Sequence, residues 1–301
     1  MNHSADAMRI TSHPGHGCDA GRVLGWSDRL PRRTENLSDR MKDIMTLRIA
    51  VFGENRHEKV DPTVQAIYPE GMHTVIAEAL RSLLAADGVD AEVRVALLDD
   101  IEESLSEEAL AETDVLTWWG HMAHEDVPDE VVERVVRRVH EGMGLIPLHS
   151  AHYSKVFKAL MGTTCNLLWR NEGEEERVWT VNGSHPIARG IPHPIVIPAQ
   201  EMYGEMFDIP APDELVFVSS FAGGEVFRSG AVFRRGKGKV FYFSPGDQEY
   251  PVYHQAEIQR VLANAVQWAR PEERESAPVK IANAPRDWFR GEGPDGVSRV
   301  I

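Results

Sequence analysis

The sequence predicts an α/β fold with a mostly parallel central sheet and helices on both of its faces. Three observations predict it. Short apolar runs alternate with longer segments whose apolar residues recur at helical spacing. In the first half each run stops abruptly at polar or ionisable residues, as a buried strand does at the carboxyl edge of a parallel sheet. Hydrophobic residues are 42% and charged residues 26% of 301, a globular balance in a chain long enough for one large or two medium domains.

Residues 1–45 are rich in Gly, His, Ser, Asp and Arg and show no steady period. They read as a disordered extension, with Met45 standing as a possible internal start just before the first strand. Solvated His3, His13 and His16 belong to it. One folded domain is expected over 46–270, and an extended Pro-, Arg- and Gly-rich tail over 271–301.

The first buried strand is 47–52 (LRIAVF), running into a densely charged loop, 53–59. Met72, Val75, Ile76, Ala79, Leu80, Leu83 and Leu84 make one helix face, and Gly88 closes that helix. A second strand follows at 91–97 (AEVRVAL). The acidic stretch 98–113 holds a short exposed helix with Ser106 as its N-cap. The third strand, 114–119 (DVLTWW), ends in GHMAHED. Pro128 opens a helix with Val131, Val132, Val135, Val136 and Val139 on its apolar face. Residues 144–148 (GLIPL) form the fourth strand, stopping at a histidine-rich turn before a helix that Ser154 caps. The order β-α-β-α-β-α-β-α carries the parallel-sheet expectation.

The second half changes character. Residues 170–177 look like an exposed charged excursion. Strands are expected at 195–199, 215–221, 230–234 and 239–243, with a Gly-containing hairpin at 234–239. Ile258, Val261, Leu262, Ala265, Val266 and Trp268 then mark a final helix.

The net charge of −15, with no basic stripe, argues against nucleic-acid or anionic-membrane binding. Two cysteines, Cys18 and Cys165, with no CxxC pair, exclude a disulfide scaffold and fit a reducing cytosol. No apolar stretch spans a bilayer and no signal-peptide core is present, so the expected location is cytoplasmic.

The chemistry clusters at strand ends. Arg56, His57, Glu58 and Lys59 follow the first strand, and His121 and His124 follow the third. His149, Ser150 and His152 follow the fourth. Imidazoles so grouped suit a metal site, and each group also reads as a solvated loop or helix opening. Ser150 lacks the glycine flanks of a GxSxG elbow, which argues against a serine hydrolase. Glu201, Tyr203 and Glu205 suit sugar hydroxyls or acid–base work. Asp247, Glu249, Tyr250, Tyr253 and His254 crowd the start of the last helix, where an anion also serves a structural purpose.

At these residues a family resemblance appears. RHEK…YPEGMH, DVLTWWGHMAHEDV, GLIPLHSAHYSKVFKALMGT, EMYGE, GGEVFRSG and GKGKVFYFSPG…YPVYH…ANAVQWA resemble the ThuA-like (trehalose utilisation) proteins, from about residue 47 to about 269. The resemblance implies a flavodoxin-like three-layer sandwich like that of class I glutamine amidotransferases. It also implies sugar catabolism beside oxidoreductases that make 3-keto sugars. The amidotransferase cysteine is missing: His149 or Ser150 occupies that turn, so glutamine hydrolysis by a thiolate is excluded on chemistry. Relatives often show PGH where this chain has Pro245-Gly246-Asp247.

The expected function is therefore metal-assisted hydrolysis, elimination or isomerisation of a disaccharide or 3-keto sugar. His149, His152, Glu201 and Glu205 are the expected catalytic groups. Arg56, Glu58, Tyr203, Asp247 and Tyr253 are the expected substrate contacts. Zinc is the expected cofactor, with His57, His121, His152 and His254 as ligands and His149 as an alternative to His152. The rival reading is a non-catalytic sugar-binding or regulatory module on the same scaffold. The expected partners are a small sugar, a sugar oxidoreductase in the same pathway and a second copy of the chain.

Overall fold

A computed structural model describes residues 46–272 of the protein. The expected extension at 1–45 and the tail beyond 272 lie outside the described residues. Among the described residues, nine strands form one sheet in the order β2-β1-β3-β4-β9-β8-β7-β5-β6. The parallel part contains β1 (Leu47–Gly53), β2 (Ala91–Leu97), β3 (Val115–Trp119), β4 (Gly144–Leu148) and β9 (Gly238–Phe243). The rest contains β5 (Leu168–Thr180), β6 (Ile195–Gly204), β7 (Glu214–Phe221) and β8 (Val226–Arg235).

The expectation of a mostly parallel sheet is corrected by the strand pairings. Four are parallel and four antiparallel, so the sheet is mixed. The reason lies in the connections. Parallel neighbours need a long crossover, whereas β8 and β9 are joined through residues 236–237, a link that only an antiparallel pair accepts. The stretch read as an exposed excursion at 170–177 is the middle of β5, between β6 and β7. Its apolar signal is weak because little of it is buried beyond Glu176 and Val178.

Alternation along the strands builds two cores. In β1, Ile49 and Val51 face one side while Ala50 and Phe52 face the other. The first side is covered by α3 (Met72–Ala86) and α8 (Ala256–Ala269). The second is covered by α5 (Glu107–Ala111), α6 (Asp129–Glu141) and α7 (Lys155–Met161). Short helices α1 (His57–Val60), α2 (Pro62–Ile67) and α4 (Ile101–Ser104) complete the set. The caps read from the sequence are present. Ser106 accepts from Ala109 N–H and Ser154 from Phe157 N–H. The carboxyl ends of β1, β3, β4 and β9 share one edge, and the loops leaving that edge carry the ionisable residues.

Candidate active site

β4 delivers His149 into the interior. All five of its residues are buried, and the chain turns sharply at the next one. His149 adopts φ 50, a left-handed conformation that a non-glycine residue keeps only where its surroundings impose it. His149, not Ser150, therefore holds the elbow. Ser150 Oγ instead donates to Gly120 O at 2.7 Å, which ties it to the backbone.

The His149 ring is completely buried and stacks on Tyr203, with centroids 4.7 Å apart. Nδ1–H donates to Ser244 O at 2.8 Å. That bond orients the ring and leaves Nε2 as the atom facing Glu201 and Asp247. Nε2 lies 3.0 Å from Glu201 Oε2, 3.4 Å from Asp247 Oδ2 and 3.2 Å from Tyr203 Oη. Glu201 comes from β6, and Asp247 follows β9. Asp247 is placed by Gly246, whose φ of 145 and close approach to Tyr253 exclude a side chain.

Both carboxylate oxygens are buried and neither has a hydrogen-bond donor, so their contact with Nε2 is ionic. Burial works against a charge on His149, but Asp247 and Glu201 outweigh it and push the ring up to about 10. Burial likewise raises Asp247, and the adjoining His149 more than reverses this, holding the carboxyl below its usual range. One donor atom from each of His149, Glu201 and Asp247 lies within 4.8 Å of the others. One imidazole and two orphaned carboxylate oxygens fit a divalent cation in place of the His149 proton.

Glu201, Tyr203 and Asp247 border a cavity of about 530 Å³, which His57, His121, His124 and His152 also line. His57 Nε2 and His121 Nδ1 lie 3.1 Å apart, so one ring donates to the other. His152 Nδ1–H donates to Cys165 O at 2.7 Å, leaving Nε2 as an acceptor. Burial pushes His152 down to about 3 and His124 to about 4, and it lowers His121 as well. His121, His124 and His152 are therefore neutral at pH 7.

The structure thus brings together His57, His121, His149, His152, Glu201, Tyr203 and Asp247. It separates others that the sequence grouped with them. Glu205 is locked to Arg228 through paired contacts of 2.8 and 2.9 Å and accepts from Phe207 N–H, so it cannot serve as a free acid or base here. His254 stacks on Tyr68 and bonds Ile67 O, away from the other imidazoles. Arg56 pairs with Asp99. Glu58 is buried and accepts from Met72 N–H at the start of α3. Tyr253 is a core residue. Adjacency in sequence grouped these side chains, but none of them borders the cavity.

One residue that sequence reasoning passed over matters here. Glu54, directly after β1, is buried and accepts the backbone N–H groups of His121, Met122 and Ala123. It holds the loop that presents His121. Its signal was an acid placed immediately beyond an apolar strand.

The sequence profile of the ThuA family, described as trehalose utilisation, matches residues 48–269. Among solved structures, the chain is similar to a ThuA-like protein from Parabacteroides merdae, with TM-score 0.54 at 13% identity. That match covers 81% of this chain and 94% of the other. A ThuA-like protein from Bacteroides uniformis gives TM-score 0.53 at 16% identity, covering 74% and 91%. At such identities the likeness is one of fold. A search of curated proteins finds no match.

Proposed function

The chain belongs to the ThuA family of trehalose-utilisation proteins, and from that premise we propose that it is an enzyme acting on a disaccharide or a 3-keto sugar. The observation that carries the reading is the pair of orphaned carboxylate oxygens on Glu201 and Asp247, facing His149 Nε2 on the cavity floor. Buried carboxylates beside an imidazole are acid–base groups shielded from water.

The supported reaction is proton transfer next to a sugar carbonyl. Glu201 takes the proton from the carbon beside the ketone, and the electron pair forms the double bond. The bond from the adjoining carbon to the glycosidic oxygen breaks, and that oxygen receives a proton from Tyr203 Oη. Water then adds to the double bond: its hydroxyl joins the carbon that lost the glycosidic oxygen, its proton restores Tyr203, and Glu201 returns its proton to the carbon beside the ketone, which completes a net hydrolysis. Tyr203 Oη, 3.2 Å from His149 Nε2, is a neutral donor, because burial drives its pKa well above 10. His152 Nε2 accepts from a sugar hydroxyl. His149, Asp247 and Oε2 of Glu201 would hold a divalent cation such as zinc, which would supply charge stabilisation for a developing enolate, with Glu201 Oε1 left to take the proton.

The same reading places the protein in the cytoplasm, after an oxidoreductase that creates the ketone. Among the described residues no helix is long and apolar enough to cross a membrane. The test is elemental analysis of purified protein, titration with zinc and a chelator, and turnover of a 3-keto-disaccharide. Stoichiometric metal with turnover supports the enzyme. Saturable sugar binding with neither metal nor turnover overturns it in favour of a binding module.

A further inference from the structure

Trp169 lies on the cavity wall without a part in the acid–base cluster. Its side chain is 64% exposed, although it borders a cavity whose floor is closed. A large aromatic side chain left open beside a site is informative in a way that a scattered apolar residue is not.

Its placement follows from strand register. Trp169 pairs with Tyr203 across the antiparallel β5–β6 ladder. Directly opposite residues project to the same side, with Cβ atoms about 5 Å apart. The indole therefore projects to the same side of the sheet as the phenol that touches His149, and both residues border the cavity. The wall is rigid. Arg170 is ion-paired to both Glu174 and Glu225. Asn171 Oδ1 accepts from Tyr250 Oη at 2.7 Å, and Asn171 Nδ2 donates to Glu249 Oε2 at 2.9 Å. Asn166, Asn171 and Glu249 share the cavity lining with the indole.

A flat apolar face bordered by fixed amide and carboxylate groups matches one kind of surface. A pyranose ring offers C–H bonds on its face and hydroxyls around its edge. An indole covers the first, and Asn and Glu side chains bond the second. We propose that Trp169 is the platform of an outer subsite. It holds the second ring of a two-ring sugar whose first ring rests on the His149–Glu201–Asp247 floor. This rests on the sugar-enzyme reading above and adds the residue that selects two rings over one.

The experiment uses the full chain and two probes that lack the ketone, trehalose and glucose, titrated calorimetrically against wild type, Trp169→Phe and Trp169→Ala. Wild type is expected to bind trehalose at least about tenfold more tightly than glucose. Trp169→Ala loses about tenfold for trehalose and leaves glucose within about twofold, while Trp169→Phe keeps most of the trehalose affinity. The exposed position spares the fold, which far-ultraviolet circular dichroism verifies. Unchanged trehalose binding in Trp169→Ala, or equal weakening of both sugars, overturns the platform and leaves the sugar reading standing. If neither sugar binds wild type, the sugar reading itself falls, and the subsite with it.

Discussion

Replacing Glu54 with glutamine tests how the candidate site is assembled. The carboxylate receives three backbone N–H groups: His121 at 2.7 Å and Ala123 at 3.1 Å on Oε2, and Met122 at 2.9 Å on Oε1. Glutamine has nearly the same shape but only one oxygen. With that oxygen in the place of Oε2, two bonds survive as weaker neutral ones. The Met122 N–H then faces an NH₂ group and loses its acceptor. An unsatisfied buried donor costs about 1–3 kcal/mol, and each bond that loses its charge assistance costs roughly 0.5–1 kcal/mol. The sum is about 2–5 kcal/mol. In a domain of 150–250 residues this lowers Tm by about 4–20 °C. Thermal unfolding followed by circular dichroism measures it, with Glu54→Ala as the more severe companion. Because the His121 ring stacks on Trp119, with centroids 6.3 Å apart, a change in tryptophan emission should accompany the loss of stability. A Tm within 2 °C of wild type would refute the idea that Glu54 holds this loop.

Asp247→Asn removes one orphaned oxygen and its charge, so metal uptake should fall at least about tenfold and keto-sugar turnover about 100-fold or more. Elemental analysis and turnover kinetics would show it, and an unchanged rate would exclude Asp247 from the chemistry. Stability of the metal-free protein should peak near pH 6.5. His152 and His124, pushed by burial to about 3 and about 4, have folded pKa values below the unfolded value of roughly 6.5. Their contribution is complete above pH 6.5 and is lost as pH falls, by about 2 kcal/mol each at pH 5. His149, raised to about 10, contributes fully below pH 6.5 and loses that contribution as pH rises toward 10. Chemical denaturation from pH 4.5 to 9 follows both arms, and a steady rise to pH 9 would contradict the His149 assignment. Gly144→Ala places a Cβ 2.5 Å from Ala269 O, at the contact between β4 and α8, and should cost about 1–3 kcal/mol by overpacking. Denaturant midpoints measure that cost, and an unchanged midpoint would mean that the two elements separate freely.

Local order was legible because its causes are local. The valines of α6, the Met72-to-Leu84 stripe of α3 and the Ser106 and Ser154 caps depend on residues a few positions apart. The alternation that splits β1 between two cores has the same origin. β5 was missed because most of its charged residues face outward, the buried Glu176 breaks its apolar pattern, and its apolar alternation is sparse.

The sequence by itself determined, β5 apart, which segments become strands and helices, and that ionisable residues gather where strands end. The tertiary structure alone decided which of those residues meet. His149 finds Tyr203 across 54 positions and Ser244 across 95, while Glu205 and His254 turn to partners elsewhere. Periodicity and capping are governed by neighbours along the chain. Strand direction and the convergence of side chains depend on how whole elements pack, and no short-range pattern encodes that.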